Sequence, residues 1–463
     1  MHQPTHPSIS RAIAHRVFVR IVEDGAYADR ALDAALNQAD IDSRDASLTT
    51  ELVYGVLRQA RYLDFIIGEL ITRPINQVDR VVRIALRMGV YEILFLRTPD
   101  YSAVDQTVAL MGRHKARRGF VNGVLRTLLR KRDADDLPNP DPATLGIFVA
   151  AAIRSSVPTW LLQALGETLG EEEALAWARA QQDAPKVILR VNPLEISRED
   201  LLDSLDAAEV SAEALESFPE AIELSSGGSV TALPGFSDGC FTVQDPAAQL
   251  VGYLAAPKAG QTIVDLCAAP GGKTTHLAEL MGGQGRVLAI DLHPHRVGLI
   301  EQHAQRLNLR CIQAKAADAT DMPALRAVLE SLDIATPDSI VLDAPCTGLG
   351  TLRRNPELRS KNRADLKELV TLQRALLDTA AALLPVGGEL TYSVCTPTHE
   401  EGRGQIREFL QRHPHYSLVP IKAESLAPYV SDDDELGESC FVETWTHRHG
   451  CDSFFAAKLR RRK

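Results

Sequence analysis

The residues best suited to chemistry in this chain are two cysteines, Cys346 in Asp343-Ala-Pro-Cys-Thr-Gly348 and Cys395 in Thr391-Tyr-Ser-Val-Cys-Thr396. Both follow a glycine-rich turn, Cys267-Ala-Ala-Pro-Gly-Gly-Lys273. A thiolate is soft, strongly nucleophilic and able to leave again. Those properties match what a pyrimidine carbon needs. C5 of cytosine attacks a methyl sulfonium only after a nucleophile has added at C6, and the adduct collapses only when the C5 proton has been removed. One cysteine to add and a second to assist release suit the two steps, and order along the chain does not say which does which. A lone cysteine is more often a small buried hydrophobe. Two at the ends of adjacent strands argue for function, whereas the cysteines at 240, 267, 311, 440 and 451 read as packing residues.

The elements that must position these thiols follow from hydrophobic patterning. Strand-like runs at 262–265, 286–291, 339–343 and 388–392 alternate with helical stretches, the pattern of a doubly wound α/β sheet. The first runs into the glycine turn, with a helix beginning at His276-Leu277. Open α/β sheets bind ligands at the carboxyl ends of their strands, where glycine lets the backbone approach a cofactor. Asp291 ends the second strand, where an acid hydrogen-bonds ribose hydroxyls, and Asp318 follows the third, beside an adenine. Gly272-Lys-Thr274 is not a phosphate loop, because that motif needs a glycine where Cys267 stands. Asp343 closes the fourth strand and suits the N3 and N4 edge of a cytosine, while Cys395 closes the fifth.

Upstream, residues 8–132 read as successive helices. Ile13, Val17 and Ile21 form one apolar stripe, Leu48, Leu52 and Val56 another, and Val81, Ile84, Ala85 and Met88 a third. Asp42-Ser-Arg-Asp45 and Pro99-Asp-Tyr-Ser102 have the composition of helix starts. The segment 133–142, rich in proline and aspartate, predicts a linker, and helical pattern resumes over 143–185 around Trp160, Leu161, Leu165 and Leu169. Val187-Ile-Leu-Arg-Val191 then predicts a short strand.

A chain of 463 residues predicts about two to four domains. No apolar stretch is long enough to span a bilayer and the N-terminus lacks signal-peptide character, so a cytoplasmic protein without a membrane partner is expected. Seven cysteines without paired Cys-x-x-Cys spacing predict reduced thiols and no metal. Cys440, His447, His449 and Cys451 are possible zinc ligands, but 443–449 and 453–459 read better as two strands of a terminal hairpin with its histidines facing solvent. The net charge is −11, yet phosphates sense local charge. Arg113, Lys115, Arg117, Arg118, Arg126, Arg130, Lys131 and Arg132 cluster without an acid among them, and Arg353, Arg354, Arg359, Lys361 and Arg363 form a second basic run. For either patch the bland reading, a solvated helix face, carries similar weight.

The turn at 267–273, Asp343-Ala-Pro-Cys346, Arg353-Arg-Asn-Pro-Glu357 and Tyr392-Ser-Val-Cys-Thr-Pro-Thr-His-Glu-Glu401 resemble the motifs of the Sun family of RNA 5-methylcytosine methyltransferases. Leu189-Arg-Val-Asn192 and Phe241-Thr-Val-Gln-Asp245 are similar to segments that precede its catalytic sheet. Ala85-Leu-Arg-Met-Gly-Val-Tyr-Glu-Ile-Leu94 and Gly119-Phe-Val-Asn-Gly-Val-Leu-Arg126 resemble the helical RNA-binding fold of the antitermination factor NusB, a fusion that marks the Sun/Fmu branch. The chain departs from the family pattern at Val394-Cys-Thr396, Gly402 and Asp452-Ser-Phe-Phe455.

The resemblance implies an all-α NusB-like domain over 1–135, a linker and connecting helices over 136–185, a small α+β, RRM-like RNA-binding subdomain over 186–240, and a Rossmann-like methyltransferase domain over 241–463. It implies S-adenosyl-L-methionine as cofactor, held by Cys267, Ala268, Ala269, Pro270, Gly271, Gly272, Lys273, Asp291, Asp318 and Asp343. Cys395 becomes the nucleophile, Cys346 the residue of product release and Asp343 the contact to the cytosine edge. Arg113, Lys115, Arg117, Arg118, Arg190, Asn192, Arg353 and Arg354 are the expected RNA contacts. The implied substrate is one cytosine of small-subunit ribosomal RNA, taken before full assembly by a monomeric enzyme. Two rivals remain at this level: the same chemistry on transfer RNA or another nucleic acid, and a non-catalytic assembly or antitermination factor whose sheet is an RNA platform.

Overall fold

Carboxylates punctuate the N-terminal helices. Asp42 accepts from the Asp45 amide at the start of one, and Asp79 from the amides of Val81 and Val82 at the start of the next. The computed structural model describes residues 6–225, 229–433 and 436–463. Its chain divides into two units, Met1–Ala184 with Leu352–Asn362, and Pro185–Thr351 with Arg363–Lys463.

The first unit is helical. Helices α1 (Ile9–Asp24), α2 (Ala28–Asn37), α3 (Ser43–Leu70), α4 (Arg80–Phe95), α5 (Asp100–Ala109) and α6 (Lys115–Asp133) surround one apolar core. Ile13, Val17, Leu52, Val56, Ile84 and Met88 are buried there, whereas Leu48 and Val81, from the same stripes, are half-buried at its rim. Helices α7 (Pro142–Leu145), α8 (Ile147–Arg154), α9 (Thr159–Leu169) and α10 (Glu171–Ala180) belong to the same unit, joined to α3 where Arg61 donates to the Val157 carbonyl and, at 2.8 Å, to the Thr159 hydroxyl. Residues 352–362 also seat here. Arg359 is buried and donates to the Ser155 and Gln181 carbonyls at 2.6 Å each, and burial lowers its pKa to about 9.

In the second unit, β1 (Val187–Val191), β2 (Ala212–Ala214), β3 (Ala221–Leu224) and β4 (Phe241–Val243) form an antiparallel sheet in the order β2-β3-β1-β4, with α11 (Arg198–Ala207) capped by Ser197. This sheet runs to residue 243 because β4 pairs with β1.

The larger sheet begins after α12 (Pro246–Ala255). Strands β5 (Thr262–Leu266), β6 (Arg286–Asp291), β7 (Ile312–Ala316), β8 (Ser339–Asp343) and β9 (Glu389–Val394) are mutually parallel. Crossover helices α13 (Gly272–Leu280), α14 (Pro294–Arg306), α15 (Met322–Ser331) and α16 (Arg363–Leu383) connect them. After α17 (Arg403–Arg412) the chain adds antiparallel strands β10 (Tyr416–Leu418), β11 (Val430–Asp433), β12 (Gly437–Thr444) and β13 (Phe454–Arg461), giving the order β11-β12-β13-β9-β8-β5-β6-β7 with β10 on β13. The central strands read as near-continuous apolar runs because helices cover both faces of a parallel sheet. The expected terminal hairpin forms, but its first strand stops at Thr444 and Thr446–His449 is a helical turn.

Candidate active site

Strand β5 pairs with β6 on one side and β8 on the other, so the strand order reverses beside it and opens a crevice at the carboxyl edge. The turn that follows β5 fills this crevice. Cys267 is held at φ +63° and Gly271 at φ +103°, where a Cβ would approach the Ile300 Cα to 3.3 Å. Asp291, at the end of β6, braces the turn by accepting from the Ala269 amide at 3.2 Å, and Arg296 lies 3.4 Å from the same carboxylate. Burial, reinforced by the charges of Asp291 and Asp265, pushes the Cys267 thiol far up. Asp318 is exposed on the loop after β7, its carboxylate bound by the Thr320 amide and hydroxyl, which lower its pKa.

One residue of this turn was not singled out from sequence. Asp265 is fully buried; its Oδ2 accepts from the Thr274 hydroxyl at 2.6 Å, while Oδ1 has no partner. Burial raises its pKa to about 7 against the Thr274 hydrogen bond, with the charge of Asp343 adding to the rise. The available signal was its place near the end of an apolar strand, six positions before the glycine pair Gly271-Gly272 at which the chain turns into α13.

The thiols stand at the neighbouring strand ends. Cys346 Sγ and Cys395 Sγ are 3.3 Å apart. Contact with Cys395 holds the Cys346 thiol well above the ordinary range, and burial and the charge of Glu401 act in the same direction. Asp343 accepts from Ser393 Oγ at 2.8 Å and from Lys273 Nζ at 2.6 Å. The Lys273 ammonium pairs with Asp343 and lies over the Phe454 ring at 5.1 Å. Burial would lower its pKa, but Asp343 outweighs that and Cys395 adds a further negative field, so the net direction is up. The edge thus holds a cation, an oriented carboxylate and two touching sulfurs.

The expected RNA contacts divide into two groups. Arg113 and Lys115 are exposed on the helical unit, and Arg117 and Arg118 half-exposed, Arg117 reaching Asp79 at 2.9 Å. Arg113, Lys115 and Arg118 join His6, His15 and Arg16 along a groove of about 1110 Å³. Arg190, Asn192 and Arg353 are buried instead. Arg190 pairs with Glu279 at 2.8 Å through both Nε and Nη2, and also donates to Gln244, Thr275 and the Gly272 carbonyl. Asn192 donates to the carbonyls of Gly239 and Leu307 at 3.1 Å each. Donors spent inside the protein cannot reach a phosphate, which removes Arg190 and Asn192 from the RNA surface. Arg354 is half-buried. Among the described residues no cluster of three or more His, Cys, Asp or Glu could hold a metal ion, and Cys440, His447, His449 and Cys451 form none.

A glycine turn at the switch point, acids at successive strand ends and a nucleophilic pair on the same edge define a Rossmann-like nucleoside-cofactor methyltransferase, carried with a helical domain and a small antiparallel sheet. Comparison narrows the class. Residues 252–460 match the 16S rRNA methyltransferase RsmB/F family, residues 8–130 the NusB family, and residues 157–231 the ferredoxin-like domain of RsmF/B-like methyltransferases. The chain is 35% identical to the probable ribosomal RNA small subunit methyltransferase B of Synechocystis sp. over 98% of its own length and 99% of that protein, and 32% identical to the Bacillus subtilis counterpart over 98% of both. The crystal structure of PH0851 superposes with a TM-score of 0.81 at 28% identity, covering 98% of each chain. The chain belongs to the RsmB/F family, and is an S-adenosylmethionine-dependent methyltransferase of ribosomal RNA.

The turn fits that cofactor. The orphaned Asp265 oxygen is a buried acceptor suited to the ammonium of an amino-acid-bearing nucleoside, and Asp291 keeps lone pairs for ribose hydroxyls. No helix is long and apolar enough to cross a membrane among the described residues.

Proposed function

We propose that this chain methylates C5 of one cytosine in 16S ribosomal RNA through a transient bond between Cys395 and C6, acting as a monomer on RNA before the subunit is fully assembled. The observation that carries the reading is the 3.3 Å contact between the two sulfurs beside the Lys273–Asp343 pair. The target base must leave its stack to reach a strand edge. S-adenosyl-L-methionine, when bound, supplies the electrophilic methyl group. Asp343, fixed by Ser393 and Lys273, accepts from the cytosine amino edge and orients the ring. The Cys395 sulfur adds as a thiolate to C6, and the C5–C6 π electrons move to C5. Once C5 carries the methyl group, its proton passes to solvent water admitted beside Cys346, the C5–H electron pair restores the C5–C6 double bond, and the Cys395–C6 bond breaks to return the thiolate. Exposed Arg113 and Lys115, with half-exposed Arg118 beside them in the groove, supply phosphate contacts, and Arg117 and Arg354 lie at the margins of that role. A mere RNA platform needs neither touching thiols nor an orphaned acid at a nucleoside turn.

The test is product analysis with full-length protein, S-adenosylmethionine and 16S RNA. The expected nucleoside is 5-methylcytidine, from one position, absent with Cys395→Ala; Cys346→Ala accumulates a denaturation-resistant RNA adduct. A methylated exocyclic nitrogen or purine overturns the chemistry, the reverse adduct pattern exchanges the cysteine roles, and bisulfite mapping that finds the site in transfer RNA moves the substrate.

A further inference from the structure

Both thiols sit on loops, and a loop that carries a nucleophile must be held by something. Cys346 opens the segment after β8, and Cys395 the segment after β9. Between these segments lies Glu401, fully buried, with four donors on its carboxylate. Oε1 accepts from the Thr347 amide at 2.8 Å and from Gln373 Nε2 at 3.0 Å, and Oε2 from the Thr347 hydroxyl at 2.6 Å and the Thr398 hydroxyl at 2.8 Å. Further bonds lock the arrangement. The Thr347 and Thr396 hydroxyls meet at 2.9 Å, Gln373 also donates to the Pro345 carbonyl at 2.9 Å, and the Tyr392 hydroxyl donates to the Glu401 carbonyl at 2.7 Å. At Gly350 the backbone amide donates to the Cys395 carbonyl at 3.0 Å, and an added Cβ would lie 2.9 Å from that same oxygen.

We propose that Glu401 is the positioning residue of the thiol pair: its carboxylate ties the residue after Cys346 to the loop of Cys395 and so holds the two sulfurs in contact. The inference rests on the covalent reading above. An ionised carboxylate only accepts, which is what four converging donors require. A glutamine of the same shape presents two N–H groups to those donors and leaves at least one buried group unpaired. Two of the four bonds end on Thr347, next to Cys346, and none on Cys395 itself. Loss of the carboxylate therefore frees the Cys346 loop first. Attack by Cys395 survives, while release, which needs Cys346 within reach, fails.

The experiment follows single turnovers of full-length enzyme on 16S RNA with S-adenosylmethionine, quantifying denaturation-resistant adduct and free methylated RNA, with thermal melting alongside. Glu401→Gln is expected to form adduct within about twofold of the normal rate while product release slows about a hundredfold, the scale of a misplacement near 1 Å. The double variant Glu401→Gln/Cys346→Ala should trap no more RNA than Cys346→Ala alone. Should Glu401→Gln fail to fold, Thr347→Val removes one of the same bonds and should trap adduct to a smaller extent, with Thr347→Ser restoring release. Equal slowing of attack and release in whichever variant folds, without trapped RNA, overturns the proposal. If Cys346→Ala itself traps nothing, the covalent reading falls instead.

Discussion

The carboxyl edge of the catalytic sheet and the basic face of the helical unit both serve RNA chemistry, and they are built by opposite rules. Around the thiols the charged groups are tied to partners at hydrogen-bond distance, Lys273 on Asp343 and buried Glu401 under four donors, while Asp265 is buried with one oxygen still unpartnered. On the helical face Arg113 and Lys115 stand in water along an open groove. The difference reflects what each must do. A reacting carbon needs groups fixed before it arrives, because a preorganised dipole in a dry site acts without reorganising. A phosphate chain needs only a field, which tolerates mobile side chains and fades with salt.

The comparison breaks first at Arg190, which the family resemblance placed on the RNA surface and the fold places in the core. Arg190→Met leaves Glu279 buried and unpaired, a loss of about 3–5 kcal/mol in urea unfolding, with the salt dependence of RNA binding unchanged. A lowered salt slope with intact stability would return Arg190 to the surface. At Asp265 the sign can be worked through. Its folded pKa is about 7, against an ordinary carboxyl near 4, so between those values the folded protein holds a proton that the unfolded chain has lost. Stability from this group therefore falls as pH rises through that window and is fully lost above it. Cofactor-free Asp265→Asn should match the parent near pH 4 and exceed it by up to about 4 kcal/mol at pH 8. A pH-independent difference contradicts the burial account, and cofactor binding by the variant should weaken.

Smaller effects sharpen the same contrast. Asp343→Asn, which unties Lys273 and the base edge, should slow methyl transfer about a hundredfold with RNA affinity almost unchanged. The triple variant Arg113→Ala, Lys115→Ala, Arg118→Ala should do the reverse, lowering the slope of log affinity against log salt by about two to three while single-turnover rates at saturating RNA hold. A rate loss in the triple variant, or an affinity loss in Asp343→Asn, would mean that the two regions are not separate devices.

What was legible in sequence depended on how local its cause is. Strands β1, β6 and β8 have the bounds their apolar runs imply, and the acids and thiols fall at strand ends because a strand ends where its run ends. The glycine turn was legible for the same reason. Long charged side chains were not. Arg190 and Glu279 are 89 positions apart, and nothing in Leu189-Arg-Val191 says that its guanidinium meets a helix following the cofactor turn. Residues 353–363 gave a basic run that suggested a phosphate surface, yet Arg359 spends its donors on the Ser155 and Gln181 carbonyls. Glu401 stood in a recognisable motif, but its role comes from Thr347 and Gln373, which only folding brings to it.

The central claim is a sulfur–carbon bond on one particular cysteine. Adduct trapped by Cys346→Ala, digested with protease and nuclease and read by mass spectrometry, should carry its cytidine remnant on the peptide containing Cys395. A remnant on any other residue, or methylated product released by enzyme whose Cys395 has been replaced by alanine, would contradict it.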